Sequence, residues 1–486
     1  MKTVMIMFDT LSRNYLPAYK DIDIEVPNFK RLQEHCIAFD QFYGGSMPCM
    51  PARRELHTGK YNFVHRSWGP LEPFDFSVFE TLNQKGIYTH LITDHSHYWE
   101  DGGATYHNRY SSWEGFRGQE GDRWVSRNEA LPNDNEHPMN KKGLSVTQHF
   151  ANRTRQQNEE EMSTVKTINA GIDFLNHHQD KDDWFLQVEC FDPHEPFYVP
   201  ERYRENSSNE KDFVYWPKYQ KIDGDAQQEG IKQSREEYKA LVRMCDHHLG
   251  KVLDFLDESN MWEDTMVIVN TDHGFLLGEH DWMGKNSSPL YEEIIHIPFY
   301  MHVPGVETSE RCAGIAQTID IAPTLLDYYG LEIPENMEGK SLLRLLDNEK
   351  INHEAILFGT NGGQVCVYDG RYVYMRASVN ENNQPLVNYT MMPTQIRGFM
   401  SKEQLKEAEL VPGNKFSNDV PMLKIKMDNY HNSYAFGHLL FDLKEDPEQN
   451  SPLNDETIEA MMVEKLMKLM KHIEAPEEEY SRLGLK

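Results

Sequence analysis

The stretch Cys49-Met50-Pro51-Ala52-Arg53-Arg54-Glu55-Leu56-His57-Thr58-Gly59-Lys60 sets a cysteine four residues ahead of an arginine, with a proline between them. A lone cysteine in a turn is ordinarily a small buried hydrophobe. The arginine that follows it carries a guanidinium that holds several donors in a fixed fork. What the cysteine does therefore depends on the segments that gather around it.

Working outward, short apolar runs end in chemically capable residues. Val4 to Phe8 leads into Asp9, and Tyr88 to Ile92 into Thr93-Asp94-His95. Trp184 to Cys190 leads into Phe191-Asp192-Pro193-His194, and Met266 to Val269 into Asn270-Thr271-Asp272-His273-Gly274. Buried parallel strands have this composition, and open α/β sheets carry their sites at the carboxyl ends of strands. Between the runs lie helical stripes, Val165, Ile168, Ile172 and Leu175, then Tyr238, Leu241, Val242, Cys245, Leu249 and Val252. Alternating strands and helices predict right-handed βαβ units and a large, mostly parallel sheet sandwiched by helices. Ile321 to Tyr329 predicts a further helix closed by Gly330.

Near residue 350 the pattern changes. Val365 to Tyr374, with Asp369-Gly370 at its centre, is a hairpin signal. A strand at His438 to Leu443 and a helix with Ile458, Met462, Leu466, Leu469 and Ile473 on one stripe follow. The expected organisation is thus a catalytic α/β domain at 1–350 and a smaller C-terminal antiparallel α+β subdomain at 351–486. Residues 99–162 and 200–236 read as polar, irregular insertions.

The 486 residues carry a formal charge of -29, from 49 basic and 78 acidic side chains. That field repels nucleic acid and anionic membrane, so neither is an expected partner, and an anionic substrate needs a local cluster of Arg, Lys and His. No apolar run approaches membrane-spanning length, and the first residues read as a core strand, giving a cytoplasmic expectation. Six scattered cysteines without C-x-x-C spacing read as buried free thiols.

Cys49-x-Pro51-x-Arg53, extended by Leu56, Thr58 and Gly59, resembles the maturation signature of the type I sulfatases, whose fold is alkaline-phosphatase-like. Further elements carry the same likeness. They are Asp272-His273-Gly274, Gly278-Glu279-His280, Pro193-His194-Glu195-Pro196, Gly284-Lys285, Leu290-Tyr291-Glu292-Glu293, Thr318 to Leu326, and Leu440-Phe441-Asp442-Leu443.

The resemblance implies that Cys49 is oxidised to formylglycine by a maturation enzyme. One hydroxyl of the aldehyde hydrate then attacks sulfur, a histidine protonates the leaving alcohol, and the second hydroxyl lets sulfate depart. It implies a divalent metal at Asp9, Asp272, His273 and residue 49, with Ca²⁺ first and Mg²⁺, Mn²⁺ or Zn²⁺ open. Arg53 supports the hydrate, while His194 and Lys285 contact the sulfate. Two positions depart from the pattern. Thr10 stands where many members have a second aspartate, and Thr93-Asp94-His95-Ser96-His97 stands where a Lys-x-His is expected, with His97 preferred to His95 as the proton donor. Relatives that hydrolyse phosphonate monoesters or phosphodiesters share these departures and are the alternative. The loop from Trp99 to Trp124, with Arg109 and Arg117, suggests a small-molecule or oligosaccharide sulfate as substrate. The oligomeric state is left open.

Overall fold

The computed structural model describes residues 1–126, 137–205, 214–306, 311–346, 352–429, 431 and 433–486. Its main sheet has eight strands, in the spatial order Arg311–Gln317, Ile37–Tyr43, Phe299–His302, Thr265–Asn270, Lys2–Phe8, Trp184–Cys190, Tyr88–Thr93 and Ser112–Gly115. Phe299–His302 runs antiparallel to both neighbours, and every other pairing is parallel.

Lys2–Phe8 shows why the sheet is buried on both faces. Side chains alternate along a strand, so Val4, Ile6 and Phe8 enter one core while Met5 enters the other. The first core is closed by Pro27–His35, Ser163–His178 and the long helix Asp225–Glu258. The second is closed by Cys49–Thr58, Val78–Gln84 and Ile321–Tyr328. The expected mostly parallel sheet between helices is what the chain forms.

One expectation shifts in detail. The irregular stretch expected at 200–236 gives way to helix from Asp225 onward. Its first turns are rich in Gln, Glu and Lys, which favour helix without supplying an apolar stripe, so polarity alone resembles a loop there. The expected domain boundary at 350 lies outside the described residues.

The second sheet joins Leu439–Asp442, Tyr372–Arg376, Val365–Tyr368 and Ile356–Thr360 in antiparallel order. Its last member is Ser46–Met47, which pairs parallel with Gly359 and Thr360. The residues just ahead of Cys49 are therefore strand partners of the C-terminal sheet. Met462, Leu466 and Met470 of helix Glu456–His472 pack on that sheet against Val365, Val367 and Tyr374.

Candidate active site

Strand register builds the floor of the site. Met7 is paired with both Glu189 and Asn270, so Asp9 and Asp272, each two residues further on, leave adjacent strand ends together. After Asp9 the chain turns at Thr10 with φ 66°, a left-handed conformation that β-branched residues rarely adopt. Local bonds hold the turn. The Thr10 amide donates to Asp272 Oδ1 at 3.1 Å, its hydroxyl to Asp9 Oδ1 at 2.7 Å, and its carbonyl accepts from the Tyr238 hydroxyl at 2.7 Å. Strain of this kind costs roughly 1–3 kcal/mol and persists only where the surroundings enforce it.

Cys49 opens the helix Cys49–Thr58. Arg53 lies one turn along on the same face, which is the physical content of the four-residue spacing. Its guanidinium donates from Nη1 to the Cys49 carbonyl at 2.9 Å and to Asp272 Oδ2 at 2.6 Å. Nη2 donates to Asp9 Oδ2 at 2.9 Å and Nε to Glu189 Oε1 at 2.7 Å. Cys49 Sγ is 3.1 Å from His273 Nε2 and 3.4 Å from Lys285 Nζ. Lys285 Nζ also lies 3.4 Å from Thr10 Oγ1 and donates to His194 Nε2 at 2.7 Å.

The electrostatics follow from burial and pairing. Burial opposes a charged Asp9, yet Arg53, helped by His194, His95 and Lys285, holds its carboxyl well below the usual carboxylate range. Burial also opposes the Arg53 cation, and Glu189, Asp272 and Asp9 more than reverse this. Burial pushes the Cys49 thiol well up, and Asp9 adds to the shift, so the encoded side chain is a neutral thiol. Burial brings His273 down to about 4, so its imidazole is neutral. Because His273 Nδ1 donates to the Gly274 carbonyl at 3.0 Å, Nε2 keeps its lone pair facing Cys49.

Asp9, Cys49, Asp272 and His273 offer donor atoms that all lie within 4.8 Å of one another. Two carboxylates and an inward lone pair suit a hard or borderline divalent cation. Glu189 is a third buried carboxylate, set against the two cations Arg53 and Lys285. The excess negative charge is what a divalent ion would offset. By donor chemistry and charge the residues fit a metal.

Seven of the residues singled out from sequence thus meet in one place: Asp9, Cys49, Arg53, His194, Asp272, His273 and Lys285. Among the described residues, His97 contacts His95, Trp68, Glu100, Glu120 and Arg397 rather than these seven. It is His95 whose Nε2 approaches Asp9 Oδ2, at 3.2 Å, and the His97 ring packs beside that of His95, with centroids 4.8 Å apart. Asp94 turns away from the site to accept from the Phe191 amide at 2.7 Å. In the Trp99–Trp124 loop, Arg117 is paired with Asp122 and Arg109 with Glu80.

Sequence reading passed over Glu189, although a carboxylate inside an apolar strand is itself a signal, since burial demands a partner. It accepts from Arg53 and from the Tyr98 hydroxyl at 2.9 Å. Arg397, whose Nε donates to Glu100 Oε1 at 2.8 Å beside His97, carries no local signal in the sequence.

A helix-borne cysteine set among buried acids, at the carboxyl edge of a helix-covered parallel sheet, defines a class within the alkaline-phosphatase-like superfamily. The family model described as Sulfatase matches residues 2–331, and the chain belongs to the sulfatase family. It is similar to the N-acetylglucosamine-6-O-sulfatase of Bacteroides thetaiotaomicron, with 31% identity over 148 residues, covering 30% of this chain and 24% of that protein. The alignment thus spans about a quarter of the relative's length. A structure of a protein in complex with its substrate D-glucosamine-2-N,6-O-disulfate superposes with TM-score 0.65 at 14% identity, covering 98% of this chain and 99% of that one. The phosphonate monoester hydrolase of Silicibacter pomeroyi gives TM-score 0.65 at 18% identity, covering 99% and 97%. At these identities the two superpositions establish the fold.

Proposed function

We propose that this protein hydrolyses a sulfate ester carried by a carbohydrate. It would use a formylglycine made from Cys49 and one divalent cation held by Asp9, Asp272, His273 and residue 49. Ca²⁺ is the first choice of ion, and Mg²⁺, Mn²⁺ or Zn²⁺ suit the same donors. One observation carries the reading. Cys49 Sγ sits 3.1 Å from His273 Nε2 and 3.4 Å from Lys285 Nζ, inside the cluster formed with Asp9 and Asp272.

When present, the cation and the hydrated aldehyde supply an acidified hydroxyl as nucleophile. The chain's own side chains have separate tasks. Arg53 bridges Asp9 and Asp272 and fixes their orientation toward residue 49. Lys285 presents an ammonium next to Cys49, where it would offset charge on the sulfate oxygens. His194 donates from Nδ1 to the Glu195 carbonyl, which aims Nε2 at Lys285 and the same space. His97 would protonate the departing alcohol. Cys49 is 2% exposed in the folded chain, so a maturation enzyme would meet it before its helix packs.

The sulfated-sugar substrates named for the similar proteins support a carbohydrate sulfate. The second reading is a formylglycine-dependent phosphonate monoester or phosphodiester hydrolase, and Thr10 in place of a second carboxylate is the observation that favours it. Matured protein should turn over an aryl sulfate faster than the matching aryl phosphonate monoester. The reverse order would replace the first reading with the second.

A further inference from the structure

His97, Glu100, Glu120 and Arg397 meet at the outer side of His95. Arg397 arrives from the C-terminal part of the chain, 297 residues after Glu100. Its Nε donates to Glu100 Oε1 at 2.8 Å and its Nη2 to Glu120 Oε2 at 3.1 Å. The other Glu100 oxygen, Oε2, lies 2.8 Å from His97 Nδ1. Arg397 Nη2 is also 3.3 Å from that nitrogen. Arginine has no lone pair to offer, so the proton on Nδ1 points to Glu100. Nε2 is then the nitrogen that exchanges protons, and its nearest acid is Glu120 Oε2 at 3.9 Å.

The surrounding backbone is shaped for this group. The Ile396 amide donates to the Trp68 carbonyl and the Gly102 amide to the Ile396 carbonyl, both at 3.1 Å. A Cβ on Gly102 would stand 2.5 Å from the Gln395 carbonyl oxygen, and one on Gly103 only 1.7 Å from that of His97. Glycines are therefore required for the two segments to meet. Glu120 takes a left-handed φ of 46°. The Trp68 ring meets the His97 ring edge-on at 4.6 Å and carries the Arg397 guanidinium at 5.3 Å. His95, Trp68, Glu100, Glu120 and Arg397 thus leave His97 little freedom to rotate.

We propose that Glu100 and Arg397 are positioning residues that hold His97 as the donor of the leaving-group proton. Arg397 occupies one oxygen of Glu100 and frees the other for the imidazole, so orientation and tautomer are fixed together. The inference rests on the hydrolase reading above. As an attacking oxygen bonds to sulfur and gives up its proton to solvent, the S–O bond to the substrate alcohol would break with its electron pair staying on the alcohol oxygen, which takes the proton from His97 Nε2. The imidazole is left neutral with Nδ1–H on Glu100, and the proton released by the attacking hydroxyl restores it through solvent. The net change is sulfate monoester anion plus water to alcohol plus hydrogensulfate, which ionises to sulfate and a proton.

The test compares matured wild type with Glu100→Gln, Arg397→Gln and Arg397→Lys on 4-nitrophenyl sulfate and on an unactivated alkyl sulfate. A nitrophenolate leaves without help, whereas an alkoxide needs the proton. The ratio of alkyl to aryl kcat/KM should fall about 10- to 100-fold in the two Gln variants, and Arg397→Lys should regain part of it. Equal losses on both esters would mean a merely structural role and would overturn the proposal, as would an unchanged ratio. If the wild type prefers phosphorus, the same ratio is read on alkyl and aryl phosphonate monoesters. The sulfatase reading then fails while the positioning pair is still judged on its own.

Discussion

Arg53 Nη1 lies 2.6 Å from Asp272 Oδ2, a residue 219 positions further along the chain, while the same nitrogen holds the carbonyl of Cys49 at 2.9 Å. One guanidinium therefore ties the helix that begins with the cysteine to the strand end that carries Asp272. It is 1% exposed, and it neutralises carboxylates that no solvent reaches.

Arg53→Met should remove that neutralisation and leave Asp9, Glu189 and Asp272 confronting one another. Breaking a buried ion network by removing one partner typically costs about 3–5 kcal/mol. Urea unfolding is the measurement, and a loss under about 1 kcal/mol would mean the network contributes little.

Divalent ions should stabilise the folded protein in the absence of substrate. An ion present at about a hundred times its Kd adds about 2.7 kcal/mol. Thermal melting with each of Ca²⁺, Mg²⁺, Mn²⁺ and Zn²⁺ after chelator treatment reads this, and identifies the preferred ion. Asp9→Asn and Asp272→Asn should abolish the shift. An equal shift in these variants would place the ion elsewhere.

Cys49→Ala should lose about 1,000-fold or more of kcat, the scale of losing a nucleophile, while the melting temperature stays close to that of the wild type. Peptide mass spectrometry after co-expression with a maturation enzyme should find CH2SH replaced by CHO at residue 49. A thiol retained in fully active protein would contradict the assignment.

Glu55 makes stability depend on pH. Its Oε1 accepts from the Ser46 amide at 2.6 Å and the Ser46 hydroxyl at 2.5 Å, yet burial raises its pKa from 4.5 to about 8. The folded chain keeps a proton that the unfolded chain loses, so this contribution is complete below about pH 4.5 and is lost as pH rises toward about 8. Glu55→Gln should flatten the decline in unfolding free energy between roughly pH 5 and pH 8. Identical slopes in variant and wild type would assign the dependence to other groups.

Asp9, Asp272-His273 and His194 are legible in the sequence because each follows an apolar run, and a strand end is a local feature. The Cys49–Arg53 pair is legible because four residues is one helical turn. Glu189 is half legible, as a charge inside a buried strand whose partner cannot be named from the strand itself. The choice between His95 and His97 is not legible. They are two residues apart in a short turn, and only packing against Phe191, Trp68 and Arg397 decides which ring faces Asp9. Arg109 and Arg117 are legible as cations, whereas their partners Glu80 and Asp122 are seen only in the folded chain.

By itself, then, the sequence determined the reactive inventory and its local geometry: a cysteine one turn before an arginine, acids and histidines at strand ends, and the helices between them. These follow from short-range sterics and from the periods of helix and strand. Tertiary structure alone decided which strand ends became neighbours, through the register of Lys2–Phe8 with Thr265–Asn270 and Trp184–Cys190. It also decided that Ser46–Met47 joins the C-terminal sheet and that Arg397 reaches Glu100. Contacts between residues hundreds of positions apart are set by how faces pack, and a local pattern carries no record of that.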